Sequence, residues 1–188
     1  MKNQITTTAK TEVLDIALVS ALLLVACIIV PLSLLGAPKT ITANAQWFVG
    51  PSVNCALVYA AIRFHGRVKV ATLICAPSIC TMLLGLVPGA SIYALMMIPA
   101  IWLGNGALVL IFRALYRAKK ANFISTATVA IAVKCALIFC GFLLLRSLGA
   151  FPTPVAIALF TTMGIMQIFT ATIGCTVAYA AVKVKSLC

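Results

Sequence analysis

The sequence predicts an all-α integral membrane protein with six transmembrane helices and both termini in the cytoplasm, and three observations carry that prediction. First, 64% of the 188 residues are hydrophobic and only 9% are charged, against roughly a quarter charged in soluble domains; the mean hydropathy is +1.20. Second, the apolar residues fall into six runs, at about 13–36, 45–64, 68–87, 90–113, 124–145 and 154–182. A helix rising about 1.5 Å per residue needs about 20 residues to cross roughly 30 Å of hydrocarbon, and the runs are of that order. Third, the basic residues lie between the runs. With the N-terminus inside, Lys2, Lys10, Arg63, Arg67, Lys69, Arg113, Arg117, Lys119, Lys120, Lys183 and Lys185 are cytoplasmic, and only Lys39 and Arg146 are outside. That eleven-to-two division orients the spans by the positive-inside rule. The net charge of +12 is therefore a topology signal. It forms no polar face for nucleic acid, and the expected surroundings are a lipid bilayer. Residues 1–188 read as a single membrane domain, because no connecting loop is long enough for a soluble catalytic one.

The first run continues past Asp15 for more than twenty residues without another charge. Ala17 and Ala21 are four apart, so they share a face near its start, where small side chains let a neighbouring helix approach closely. An alanine-rich helix also produces such pairs by chance, and spacing alone does not separate the two readings. Ala43-Asn44-Ala45 looks like a small-x-small cleavage site, but the run is too long for a signal peptide and ends several residues earlier, so a retained span is expected.

The second run contains Gly50-Pro51. Proline removes one backbone bond and glycine loosens the same turn. The expectation is a kink, or a helix that starts at Pro51 with Gln46-Trp47-Phe48-Val49 as a loop or re-entrant turn. Arg63, His65, Arg67 and Lys69 form a short basic hairpin before the third run, which ends at Pro88-Gly89. In the fourth, Gly104-Asn105-Gly106 is expected to weaken the helix, and Arg113, Arg117, Lys119 and Lys120 then read as a second basic loop. The fifth run ends at Arg146 and Gly149, and Pro152-Thr153-Pro154 leads into the sixth.

Lys134 is the one charge deep in a span, about 15 Å into the fifth helix counted from Ile124. A charge at that depth costs a few kcal/mol or more, so it should face the protein interior. The face it shares with Ala127, Ala130 and Gly141 agrees; the alternative is a stem that snorkels to the cytoplasmic side. Gln167 lies on a stripe of small residues with Gly164, Ala171, Gly174 and Ala178, and Asn54 and Asn105 add two more amides within spans. These four polar residues either converge on one cavity or hydrogen-bond between helices. Trp47, Phe48, Tyr93 and Phe151 sit near outer span ends. They read either as an interfacial belt or as stacking surfaces over an outward-facing pocket, with Gln46 and Asn54 supplying hydrogen bonds.

There is no P-loop, no G-x-S-x-G, no H-E-x-x-H, a single histidine, and no carboxylate within a span beyond Asp15 at its edge. Neither an enzyme nor proton coupling through a buried acid is expected. The eight cysteines include no C-x-x-C pair, and most fall within apolar runs as small hydrophobes, so no metal and no cofactor is expected.

The whole pattern resembles the substrate-binding membrane subunits, or S components, of energy-coupling factor (ECF) vitamin transporters. Those are small six-helix proteins with both ends cytoplasmic and an alanine-x-x-x-alanine pair in the first helix, here Ala17-Leu18-Val19-Ser20-Ala21. The resemblance implies a multi-pass protein of a prokaryotic plasma membrane. It implies that the first helix, through Ala17 and Ala21, docks on a transmembrane coupling subunit driven by cytoplasmic ATPases, and that a vitamin-like small molecule is captured near the outer face. By position, the loop at 36–46 would be the gate and Gln46, Trp47, Asn54, Tyr93 and Phe151 would lie near the substrate. Gln167 and, as a counter-charge below, Lys134 complete the expected site. Outer-half amides, aromatics and nearby Arg146, with no outer-half carboxylate, suit a neutral or anionic ring-containing molecule. No signature names the substrate. Two other classes stay open: an autonomous small transporter or channel, with Lys134 and Gln167 lining its path, and a structural membrane subunit of a redox complex.

Overall fold

The computed structural model describes residues 46–64, 67–83 and 91–185, together with Ala17, which is helical and exposed. The expected first span at 13–36 with Ala21, the gate loop at 36–46 and the cleavage-like Ala43-Asn44-Ala45 otherwise lie outside the described residues. Among those residues all regular structure is helical. Helix α1 is Gln46–Arg63, α2 is Arg67–Leu83 and α3 is Ser91–Ile111, which continues as a π-helical segment, Phe112–Ala118. Helix α4 is Phe123–Ser147. Helix α5, Thr153–Phe160, passes through a π-helical stretch, Thr161–Ile165, into α6, Met166–Lys185.

Three stretches are long and apolar enough to cross a membrane: Leu95–Ala118, Phe123–Ser147 and Thr153–Val184. Their outward faces are apolar, with Leu103, Leu110, Val129, Leu144, Ile157 and Ile173 all exposed. This is the surface a bilayer would cover. Helix α1 is different. It has 18 residues, and its middle from Cys55 to Ala61 is enclosed by protein, with Ala56, Leu57, Val58, Ala60 and Ala61 at 0% exposure.

Small residues set the helix directions. Gly50 of α1 meets Thr170 of α6, and four residues on in both helices Asn54 meets Gly174, so α1 and α6 run parallel. Gly104 of α3 meets Ile138 and the backbone of Lys134 on α4, whereas Ala100 meets Gly141, so α3 and α4 run antiparallel. The C-terminal ends of α1, α3 and α6 therefore gather with the start of α4. Phe123 stands at that junction, 5.3 Å from Phe112 and 4.9 Å from Tyr179, centroid to centroid. Arg63, Arg113, Arg117, Lys119, Lys120 and Lys183 belong to this end, and Arg146 lies at the far end of α4.

The structure corrects three local expectations. Residues 46–49 are the first turn of α1, neither a loop nor a re-entrant turn. Pro51 is only the sixth helical residue, so its missing N–H removes a single intrahelical bond. Gly104-Asn105-Gly106 does not interrupt α3. A Cβ on Gly104 would stand 2.7 Å from Ile138 Cγ1, so the close approach of α4 requires that glycine and outweighs its poor propensity. The second basic loop begins only at Lys119, because Arg113 and Arg117 belong to the π-helical segment. Both guanidiniums donate to the carbonyl of Phe64, each at 2.9 Å, and cap the C-terminal end of α1, where the helix dipole favours cations. The chain then reverses through Lys120, which adopts a left-handed φ of 55°, and Asn122 caps α4 by accepting from the Ile124 N–H at 2.8 Å.

Candidate functional site

Two hydrophobic clusters divide the bundle. One, towards the basic end, contains the middle of α1 with Leu108, Phe112, Phe123 and Ala130; the other contains Met97, Ile138, Phe142, Phe151 and Leu159. Lys134 lies between Ala130 and Ile138 on α4, where the clusters meet. Its side chain is 2% exposed and its Nζ donates to Oδ1 of Asn54, itself 2% exposed. Of the two readings of Lys134, the structure has the inward one.

Local sequence explains how the pair forms. Asn54 Nδ2 donates to the Gly50 carbonyl one turn back at 2.9 Å, which leaves Oδ1 directed away from its own helix. On the facing helix Gly174 supplies no side chain: a Cβ there would fall 2.5 Å from Asn54 Cβ and 2.7 Å from the Pro51 carbonyl oxygen. That absence lets α6 press against α1. Gly50 plays the reciprocal part against Thr170. Electrostatically the pair is incomplete. The only carboxylate side chains in the sequence are Glu12 and Asp15, both outside the described residues. Among the described residues the ammonium has one acceptor, Asn54 Oδ1, for three N–H donors.

The other expected site residues separate into distinct places. Gln167 is buried at 8% exposure, but its Nε2 turns back on its own helix to the Thr162 carbonyl at 3.3 Å, within the π-helical stretch. Among the described residues no hydrogen bond joins it to Lys134. Tyr93 stands edge-on to Phe151 at 6.0 Å, and Phe151 stacks on Phe142 at 6.0 Å. Trp47 is half-exposed and pairs instead with Phe169 of α6 at 6.2 Å. The aromatics thus form two groups. Gln46 opens α1, and its side chain lies outside the described part. On α3, in the layer of Gly104, Asn105 is 4% exposed and its Oδ1 has no partner among the described residues; the same holds for Trp102 Nε1.

A groove of about 680 Å³ runs between α4 and α6, lined among others by Ala127, Thr128, Cys135, Cys175, Thr176 and Tyr179. It contains none of the expected site residues. It approaches the polar pair only through Cys135 and Cys175, the chain neighbours of Lys134 and Gly174.

Sequence reasoning marked Asn54 and Lys134 separately but not their partnership, which depends on helix order. It also missed the Arg113–Arg117 cap on Phe64. The signal was present in the i, i+4 spacing of the two arginines, which puts both on one helix face if the helix is extended past Arg113.

The fold and this site define a class: an all-helical, membrane-associated chain that encloses a lysine–asparagine pair between two apolar clusters. No protein-family model, curated protein or solved structure matches it.

Proposed function

We propose that this chain is the substrate-binding membrane subunit of an ECF-type transporter, crossing the membrane six times with both termini inside. The observation that carries the reading is the enclosed Lys134–Asn54 pair. An ammonium and an amide buried among apolar helices cost stability unless they serve a ligand or a path, and Lys134 is the one described cation buried in the bundle. The gathering of basic residues at one end supports placing that end in the cytoplasm. On this reading, substrate enters from the opposite end, above the aromatic residues Tyr93 and Phe151. Ala17 and Ala21 contact a transmembrane coupling subunit, and cytoplasmic ATPases drive uptake.

Affinity purification of the full chain from its own membranes tests the assignment. A coupling subunit with ATPases is the expected company, and Ala17→Trp is expected to remove it. Recovery with flavin or iron–sulfur proteins would assign the chain to a redox complex, and recovery alone with retained uptake would make it an autonomous transporter. Impermeant thiol labelling of Lys39→Cys but not Lys119→Cys from outside is the expected topology result.

A further inference from the structure

We propose that Lys134 is the anchor for a carboxylate, so that the ligand of this chain is a small organic monoanion. The inference rests on the substrate-binding reading above and narrows it to a chemical class. The charge balance of the bundle points there. A buried ammonium requires a counter-charge, and not one of the described residues is Asp or Glu. Asn54 offers a neutral acceptor and takes one of the three N–H donors. Because Asn54 Nδ2 is committed to Gly50, that acceptor is fixed in place, and Asn54 acts as a positioning residue that aims the ammonium. Two N–H donors remain without acceptors among the described residues. A carboxylate matches them in number and sign through charge-assisted hydrogen bonds.

The surroundings favour a monoanion over a phosphate dianion. Near Lys134 the described amides are Asn54 and, beside the Gly104 that meets the Lys134 carbonyl, Asn105, and no second described cation is buried in the bundle, which leaves too few donors for three phosphate oxygens. A second observation in the same layer is the partnerless Asn105 Oδ1, 4% exposed, which calls for a donor from outside the described side chains. A ligand that carries a hydroxyl or ring N–H beside its carboxylate satisfies both needs.

The test uses the full chain, purified in mild detergent. Native mass spectrometry reads any co-purified small molecule, and thermal-shift titration compares benzoate, its neutral counterpart benzamide, and inorganic phosphate. The expected results are a bound species that is a carboxylic acid, a shift with benzoate but not with benzamide or phosphate, and binding weaker by about tenfold or more in Lys134→Met. Lys134→Arg keeps the charge and should retain anion binding, which separates loss of the anchor from loss of folding. Equal retention by Lys134→Met, or a bound species that is neutral or cationic, overturns the inference and leaves the transport subunit intact. Absence of both a co-purified acid and an anion-dependent shift also overturns it. So does a charge exchange in which Lys134→Asp with Asp15→Lys restores the stability that each single change loses, because Asp15 would then be the counter-charge. Failure of the transport reading is read separately, from the missing coupling subunit.

Discussion

The middle of the bundle and its aromatic end are packed by opposite means. In the middle, α1 and α6 meet through the absence of side chains: Gly50 and Gly174 bring the backbones close enough that a single Cβ would collide. At the far end large rings fill the space beside the close Ala100–Gly141 approach of α3 and α4, with Phe151 stacked on Phe142 and edge-on to Tyr93. In lipid, where apolar burial gives helices little reason to associate, close backbone approach and polar bonds provide the contact. Rings fill space at lower precision. The difference teaches where the molecule tolerates change: a ring can be trimmed, but a helix seam has no slack.

Five single substitutions and one double change probe that contrast, all read by thermal unfolding of purified protein. Gly174→Val should have the largest effect, about 3 kcal/mol or more, because the added carbons meet the Pro51 carbonyl and the Cys55 backbone, neither of which can rotate away. A near-native melting temperature would show that α1 and α6 are not held at this distance. Asn54→Leu should follow at about 2 kcal/mol, since it strips Lys134 of its one described acceptor. The double change Asn54→Leu with Lys134→Met should recover much of that loss, and failure to recover would mean that the amide matters for packing alone.

Phe151→Ala is expected to cost about 1–2 kcal/mol, from two ring contacts at the aromatic end. Reactivity of the buried thiols Cys55 and Cys175 should stay low in this variant and rise in Gly174→Val, which separates local from seam-wide damage. The smallest effect is expected at Gly106, where an added Cβ meets nothing within 4 Å. Gly106→Ala should be neutral or stabilising by up to about 1 kcal/mol. Gly104→Ala, two residues away, should destabilise by pushing on Ile138 and the Lys134 carbonyl.

How much of this was legible in the sequence depended on whether the cause was local. Helix α4 was, because its apolar run is long, uninterrupted and followed by Arg146 and Gly149; the expected 124–145 became Phe123–Ser147. The small faces around Lys134 and Gln167 were also readable from 3.6-residue periodicity. Gly50-Pro51 and Gly104-Asn105-Gly106 misled, because propensity describes an isolated helix and these residues answer to neighbours that the sequence does not name. The pairing of Asn54 with Lys134, eighty residues apart, required knowing that α1 lies along α6 and within reach of the Lys134 side chain from α4. The separation of Trp47 from Tyr93 and Phe151 was hidden for the same reason: position along a helix gives depth, whereas the compass direction of a side chain depends on which helices stand beside it.

The double arginine cap on Phe64 makes the basic end of α1 a pivot. Two charge-assisted bonds from one neighbouring segment converge on a single carbonyl, so that end of the helix is pinned by charge, while among the described residues the other is held by apolar contacts alone, Gly50 against Thr170 and Trp47 against Phe169. Asn54 is about 15 Å along the helix from the pin and Trp47 about 25 Å. Any tilt of α1 is therefore geared: a small displacement where Asn54 touches Lys134 becomes a larger one at Trp47. The leverage runs in both directions: a displacement imposed at the Trp47 end of α1 arrives smaller, and its force larger, at the buried ammonium.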